Sequence, residues 1–117
     1  MATAVAKLKN LQIAPRKARL VADMIRGMTV AEACELLEYT NKISAEPLRK
    51  LVRSAAANAD EAAAAQHERI DTDEMIIAKI MVNEGRTLHR YQPAARGRAV
   101  RIRKRSSHVE LTLADKE

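Results

Sequence analysis

Hydrophobic residues recur at helical spacing in three stretches of the chain. The first stretch lies between Pro15 and Gly27, residue types that favour the start and the end of a helix. Thr29 and Glu32 form the pair that caps a second helix, and Ser44 suits the N-cap of a third helix running to about residue 66. The residues predicted to face the core are Ala18, Val21, Ala22 and Ile25 in the first helix, Val30, Ala33, Cys34 and Leu37 in the second, and Leu48, Leu51, Val52, Ala55, Ala59 and Ala62 in the third.

Three further stretches have the patterns of β-strands. Residues 3–13 alternate between apolar and polar, which predicts a strand with a basic outer face. Residues 75–82 are apolar at seven of eight positions and predict a strand covered on both faces. In residues 99–113 the apolar positions change from even to odd numbers. Because a one-residue slip exchanges the two faces of a strand, we expect a bulge or strong twist near residues 104–108.

The segment between the last two strands is predicted to form a protruding β-hairpin over residues 85–108. We expect the chain to run outward along 76–88, to turn around 91–95 and to return along 97–109. At about 3.3 Å per residue, each limb would project roughly 30–40 Å. An isolated two-stranded ribbon is only marginally stable in water, so this one calls for a partner that surrounds it. The alternative is an ordinary flexible basic loop.

Composition narrows the class of protein. The 117 residues fit one domain spanning residues 1–117, and a hydrophobic content of 47% is enough for a core. There is no Trp or Phe, which argues against a sheet that binds single strands by stacking bases on exposed rings. A single cysteine and three scattered histidines exclude an internal disulfide and a structural zinc site. No apolar run is long enough for a membrane span, and we expect an intracellular protein without metal or cofactor.

The basic residues are concentrated at two places in the chain. The net charge is +6, yet residues 86–108 alone hold eight cations and no acid, and residues 1–26 hold six basic residues and one acid. Residues 27–85 hold eleven acids against six basic residues. Seven of the eight cations are arginines, whose planar guanidinium binds phosphate through two hydrogen bonds. The charge pattern therefore predicts nucleic-acid binding, with the acidic part of the chain turned away.

Four segments carry a resemblance to one known family. They are RKARLVADMIRG (residues 16–27), LLEYTNK (residues 36–42), SAAANA (residues 54–59) and ARGRAVRIRKRSSH (residues 95–108). They are similar to the large-subunit ribosomal proteins of the L twenty-two family, bacterial type, and the resemblance runs from about residue 4 to residue 113. It implies an α+β fold, with three helices packed on a three-stranded antiparallel sheet and a long protruding β-hairpin.

The resemblance also implies a function. It implies a structural, non-enzymatic constituent of the large ribosomal subunit, located in the cytoplasm, that binds 23S-type rRNA early in subunit assembly. It further implies contacts with neighbouring large-subunit proteins, no homo-oligomer, no membrane and no cofactor. In this family the hairpin tip lines the nascent-peptide exit tunnel and so meets the nascent polypeptide.

The predicted RNA-binding residues come from both lines of argument. The resemblance assigns Arg90, Arg96, Arg98, Arg101, Arg103, Lys104, Arg105 and His108, and the charge pattern adds Lys7, Lys9, Arg16, Lys17, Arg19 and Arg86. The predicted tunnel-lining tip is His89, Arg90, Tyr91, Gln92, Pro93, Ala94 and Ala95. Ala14, Arg86 and Ala94 stand where the family usually has serine, proline and arginine. The resemblance therefore implies the loss of a helix N-cap hydrogen bond at Ala14 and of one tip contact at Ala94.

Three other functions remain open from the sequence alone. A basic β-ribbon is also used by architectural proteins that bind DNA. The glutamates at positions 32, 35 and 38 share one helix face and could dock a basic protein. The run Ser106-Ser107-His108 holds the residue types of a nucleophilic enzyme, but no orienting carboxylate or oxyanion hole accompanies it. We interpret these serines and this histidine as ordinary phosphate and ribose ligands.

Overall fold

The computed structural model describes residues 3–67 and 69–115, and within them the chain forms three helices and five strands. In chain order these are β1 (Thr3–Leu11), α1 (Pro15–Ile25), α2 (Val30–Tyr39), α3 (Ala45–Ala65), β2 (Ile76–Glu84), β3 (Leu88–Pro93), β4 (Ala99–Lys104) and β5 (Ser107–Ala114). The strands form one three-stranded antiparallel sheet in the order β1-β5-β2 and one two-stranded sheet, β3-β4. This is the α+β arrangement that the sequence predicts.

The three helices cover one face of the three-stranded sheet. The predicted stripe of α1 is fully buried, α1 packs on β2, and α3 packs on β1 and β5. The alanines of α3 allow this close approach, and Asn58 Nδ2 of α3 donates a hydrogen bond to the Val5 carbonyl of β1 at 3.0 Å. In β5 every second residue is buried, from Ser107 to Leu113. The core therefore lies between the helices and a single face of the sheet.

The predicted N-cap position of α3, Ser44, is confirmed, but its capping hydrogen bond is absent, and one residue of the predicted buried stripe is wrong. Ser44 does not cap the helix with its side chain, because its own backbone is already helical, with φ −75° and ψ −13°. The stripe continues from Ala59 to Ala63 and leaves Ala62 exposed. A four-residue step keeps Ala63 above Ala59 on the side that faces the sheet.

The prediction that β2 is covered on both faces is also wrong. Ile77, Ile80 and Val82 are buried, whereas Ala78 and Lys79 are exposed. The register against β5 shifts between Ile77 and Lys79, and this irregularity moves the buried positions from odd to even numbers. Strand β2 has only one buried face, yet its continuous apolar run is the sequence pattern of a strand that is buried on both faces.

The expected break in the last strand is confirmed. The chain leaves β4 at Lys104 and enters β5 at Ser107, within the region where the apolar positions change phase. Below the break Val109 is buried in the core, and above it Val100 is 51% exposed. The two halves of this segment therefore belong to different sheets.

Strands β3 and β4 form the protruding hairpin. Their register runs from Leu88 opposite Lys104 to Pro93 opposite Ala99. The expected turn around residues 91–95 is misplaced, since β3 continues through Pro93 and the chain reverses over residues 94–98. Gly97 has φ +72° in this turn, a conformation that glycine adopts without steric cost. The molecule measures 67 × 26 × 17 Å, so the hairpin stands well clear of the helices and the larger sheet, here called the body.

Candidate nucleic-acid interface

The register of the hairpin sorts its side chains onto two faces. Residues directly opposite each other in an antiparallel pair share a face. His89 lies opposite Arg103 and Tyr91 opposite Arg101, which makes one face basic and aromatic. The other face combines aliphatic and basic groups: Leu88, Arg90, Gln92, Val100, Ile102 and Lys104. Both faces therefore carry groups that bind phosphate beside groups that contact a base or ribose.

The hairpin cations are not neutralised within the described chain. All eight basic residues between positions 86 and 108 are exposed. The ion pairs found in residues 3–67 and 69–115 join Arg26 to Asp23 at 2.6 Å and Arg49 to Glu46 at 4.0 Å, both in the body. Like charges held on a narrow ribbon repel one another, so a polyanion that surrounds it would stabilise it.

Four predicted residues are exposed cations of the body. Lys7 and Lys9 are exposed on β1, and Arg16 and Lys17 are exposed in the first turn of α1. The N-cap residue of α1 is Ala14, whose methyl side chain cannot cap the helix, as expected, and the first turn holds no acidic residue. The dipole of this helix start adds to the attraction for anions.

Arg19, predicted to bind RNA, is exposed and also has a hydrogen-bond partner within the body. Its Nε and Nη2 atoms donate hydrogen bonds to the Val82 carbonyl of β2 at 3.2 and 2.9 Å. Arg26, two helical turns later, donates from Nη2 to the Ile80 carbonyl at 2.9 Å. Sequence reasoning missed this role. The spacing of seven residues, which places both arginines on one side of α1, is the signal that points to it.

The run Ser106-Ser107-His108 ties the hairpin to the body. Ser106 Oγ donates to the Arg86 carbonyl at 2.6 Å, and Ser107 Oγ donates to the Ile13 carbonyl. His108 accepts a hydrogen bond on Nδ1 from the Asn10 amide at 3.1 Å. Both serines are buried, so interpreting them as phosphate or ribose ligands is wrong. His108, predicted to bind RNA, is half-buried and uses one ring nitrogen for the body's own backbone.

Three exposed glutamates and the single cysteine of the chain lie on α2. Glu32, Glu35 and Glu38 are exposed on α2, as expected. Cys34 is half-buried, and burial raises the pKa of its thiol, although Arg53 and Arg49 act in the opposite direction. A raised pKa keeps the thiol protonated and unreactive. In the described part of the chain no three His, Cys, Asp or Glu side chains cluster as metal ligands would.

A comparison with protein families decides the identity. The model of the family described as Ribosomal protein L22p/L17e matches residues 6–114, a range that contains most of β1, all three helices, the hairpin, β2 and β5. The chain belongs to this ribosomal protein family. As a member of Ribosomal protein L22p/L17e it is a structural protein of the large ribosomal subunit that binds large-subunit rRNA and adjoins other ribosomal proteins. Its place is the cytoplasmic ribosome. Among the residues that the structure describes, no helix is long and apolar enough to cross a bilayer.

Proposed function

We propose that the hairpin is the element that this chain inserts between segments of large-subunit rRNA. The observation that supports this most is its charge: eight exposed cations without an ion-pair partner in the described chain, on a ribbon clear of the body. The exposed cations Lys7, Lys9, Arg16 and Lys17 add contacts from the body. Cations on both the hairpin and the body of one small protein can contact more than one RNA segment, which suits binding early in assembly. The protein acts as one domain and as a single copy.

The hairpin tip is proposed to line the nascent-peptide exit tunnel. The residues concerned are His89, Arg90, Tyr91, Gln92, Pro93, Ala94 and Ala95, to which the position of the turn adds Arg96, Gly97 and Arg98. Tyr91 is 68% exposed near the tip. An aromatic ring with a polar hydroxyl suits contact with both a base and a passing peptide.

The rRNA-binding role is tested by replacing Arg98, Arg101, Arg103 and Arg105 with Ala. Each phosphate contact releases roughly 0.7–0.9 counterions, so the slope of log affinity against log salt should fall by about 3. The measurement is a salt titration of binding to a large-subunit rRNA fragment. A matched control replaces Lys50, Arg53, Arg69 and Lys79, four exposed body cations, with Ala.

The control variant has the same net charge as the hairpin variant and should keep most of the slope. Equal losses in the two variants would contradict a specific role for the hairpin. A duplex DNA of equal length should bind less tightly than the rRNA fragment. Preference for that DNA would instead support an architectural DNA-binding protein.

The tunnel placement is tested by a photocrosslinker in place of Tyr91 in assembled large subunits that hold a nascent chain. We expect crosslinks to rRNA and to the nascent chain, because the side chain is exposed next to the turn. A crosslinker in place of Tyr39, exposed at the end of α2, serves as the control and should not reach the nascent chain. Crosslinks from position 91 to surface proteins alone would contradict the placement.

A further inference from the structure

A groove separates the root of the hairpin from the body. Its walls come from the loop between β1 and α1, the first turns of α1, the loop between α2 and α3, and the end of β4 with the residue that follows. The space measures about 1040 Å³, at the upper end of the range typical of small-molecule sites. Three segments distant in sequence, residues 12–20, 41–44 and 103–105, therefore converge on one concave surface.

The charge of the groove is entirely positive. Its lining includes Lys17, Lys42, Arg103, Lys104 and Arg105, and no acidic residue of the described chain lines it. Arg103 and Lys104 belong to β4, so the groove continues the basic surface of the hairpin onto the body. This charge favours an anionic ligand that contacts several of these cations at once.

The groove also has exposed apolar walls. Ile43 is 85% exposed and Leu20 is 60% exposed, and both line it. Ile43 is the most exposed large hydrophobic residue in the described chain, and it stands between Lys42 and Ser44. Aliphatic side chains at these positions contribute little to the core. They provide exposed apolar area beside the cations.

Ser44 supplies a polar group that the fold does not use. The residue is only 3% exposed, lines the groove, and makes no side-chain hydrogen bond within the described chain, not even the cap of α3 that its position predicts. No buried side-chain N or O atom of the described chain lacks a hydrogen-bond partner, so the unpaired Ser44 hydroxyl still reaches solvent, where a ligand in the groove can bond it.

We propose that this groove binds a single unstacked nucleotide of RNA. The phosphate contacts the cations, the face of the base packs on Ile43 and Leu20, and the Ser44 hydroxyl hydrogen-bonds the ribose or the base edge. The inference rests on the proposed rRNA-binding function and names the RNA feature that is recognised. A regular A-form duplex keeps its base faces stacked inside, so only a bulge, loop or strand end offers both phosphate and base face.

An acidic peptide is the competing occupant. It would satisfy the cations, but its carboxylate side chains would not use two aliphatic walls. The groove is also continuous with β4, whose arginines are assigned to RNA under the proposed function. These two observations favour the nucleotide.

The test compares three RNA stems of about 16 base pairs in binding to the full chain. One stem is fully paired, one has a single unpaired adenosine, and one has an abasic site at that position. We expect the bulged stem to bind roughly three- to tenfold more tightly than the other two, as burial of a base against two aliphatic side chains would give. Ile43→Ser and Leu20→Ser should each reduce this preference, whereas Tyr39→Ser and Met24→Ser, at exposed apolar positions outside the groove, should keep it.

Thermal unfolding of each variant shows that the fold is retained, which the exposure of Ile43 and Leu20 leads us to expect. Equal binding of the three stems with a salt slope that still depends on the hairpin arginines would overturn the groove inference and leave the proposed function standing. Absence of RNA binding by the unaltered chain would overturn both. Polyglutamate is the competitor that tests for an acidic peptide. If polyglutamate displaced the bulged stem and bound Ile43→Ser less tightly than the unaltered chain, the occupant of the groove would be an acidic peptide and not a nucleotide.

Discussion

At Gly85 the outgoing and returning limbs of the hairpin lie close together. A Cβ placed on it would lie 2.6 Å from Ser106 Oγ and 3.1 and 3.2 Å from the Ser106 carbonyl carbon and oxygen. The Gly85 amide donates to that same carbonyl at 2.9 Å. Glycine is therefore required here for close approach of the two backbones, and this contact holds the hairpin root together.

Gly85→Ala is expected to lower the free energy of unfolding by about 1–3 kcal/mol, the usual cost of overpacking. Chemical denaturation measures the loss. The double variant Gly85→Ala/Ser106→Ala removes the nearest atom, so the two effects should be less than additive. An unchanged midpoint in Gly85→Ala, or strict additivity in the double variant, would show that the root tolerates a side chain.

The sequence does not reveal this role of Ser106 and Ser107. Their hydrogen-bond partners lie 20 and 94 residues away, and no local pattern relates them. Serines among arginines resemble phosphate ligands in sequence, because the same hydroxyl serves a phosphate or a carbonyl. Only the fold decides between these partners.

At the scale of elements, the outer edge of β2 is covered along its length. The Met75 and Ile77 carbonyls accept from the Val30 and Gly27 amides at 2.8 and 3.0 Å. Farther along, the Ile80 and Val82 carbonyls accept from Arg26 and Arg19. Open strand edges promote unwanted strand pairing, and side chains from a helix are one way to cover them.

Arg19→Gln and Arg16→Gln remove the same charge from the same helix and should have different effects. Arg19→Gln is expected to cost about 1–2 kcal/mol of stability, because it leaves the Val82 carbonyl without a charged donor. Arg16→Gln should change stability by less than about 0.5 kcal/mol, as exposed substitutions usually do. Denaturation curves measure both.

RNA binding should show the opposite order. Arg16→Gln should lower the salt slope by about 0.9, and Arg19→Gln should leave it nearly unchanged. An equal loss of slope in the two variants would return Arg19 to the RNA-binding surface. Stability that is insensitive to Arg19→Gln would remove its role at the strand edge.

The elements themselves were largely predictable from periodicity. The stripe of α1 and the break near Ser107 follow from residues close in sequence, and both are confirmed. The errors arise where a local pattern has two structural explanations. The apolar run of β2 hides a register shift, and the sequence of residues 88–93 does not show where the hairpin turns.

The whole molecule combines an extended shape with an uneven charge distribution. Its Cα radius of gyration is 17.5 Å. A compact chain of this length would have about 13 Å. The exposed acids on α2 (Glu32, Glu35 and Glu38) attract the hairpin cations, and this attraction opposes the extended shape in the free protein.

The hairpin root favours the extended shape. Two hydrogen bonds join the two limbs where they leave the body. The Gly85 amide donates to the Ser106 carbonyl, and the Ser106 hydroxyl donates to the Arg86 carbonyl. Ser107 and His108 then fix the returning limb to Ile13 and Asn10. Folding the hairpin back onto α2 would break these hydrogen bonds, including two made by buried serines.

We therefore expect small-angle X-ray scattering of the free protein to give a radius of gyration near the extended value at both low and high salt. The Debye length falls from about 30 Å at 0.01 M salt to about 3 Å at 1 M, so any collapse driven by the acids would appear at low salt alone. The variant Glu32→Gln/Glu35→Gln/Glu38→Gln is the control, because it removes the attraction and keeps the root. A low-salt radius approaching the compact value of about 13 Å, restored in this variant, would show that the root does not hold the hairpin. The hairpin would then have to be released from α2 before its arginines could bind RNA, and its salt slope would report two processes instead of one.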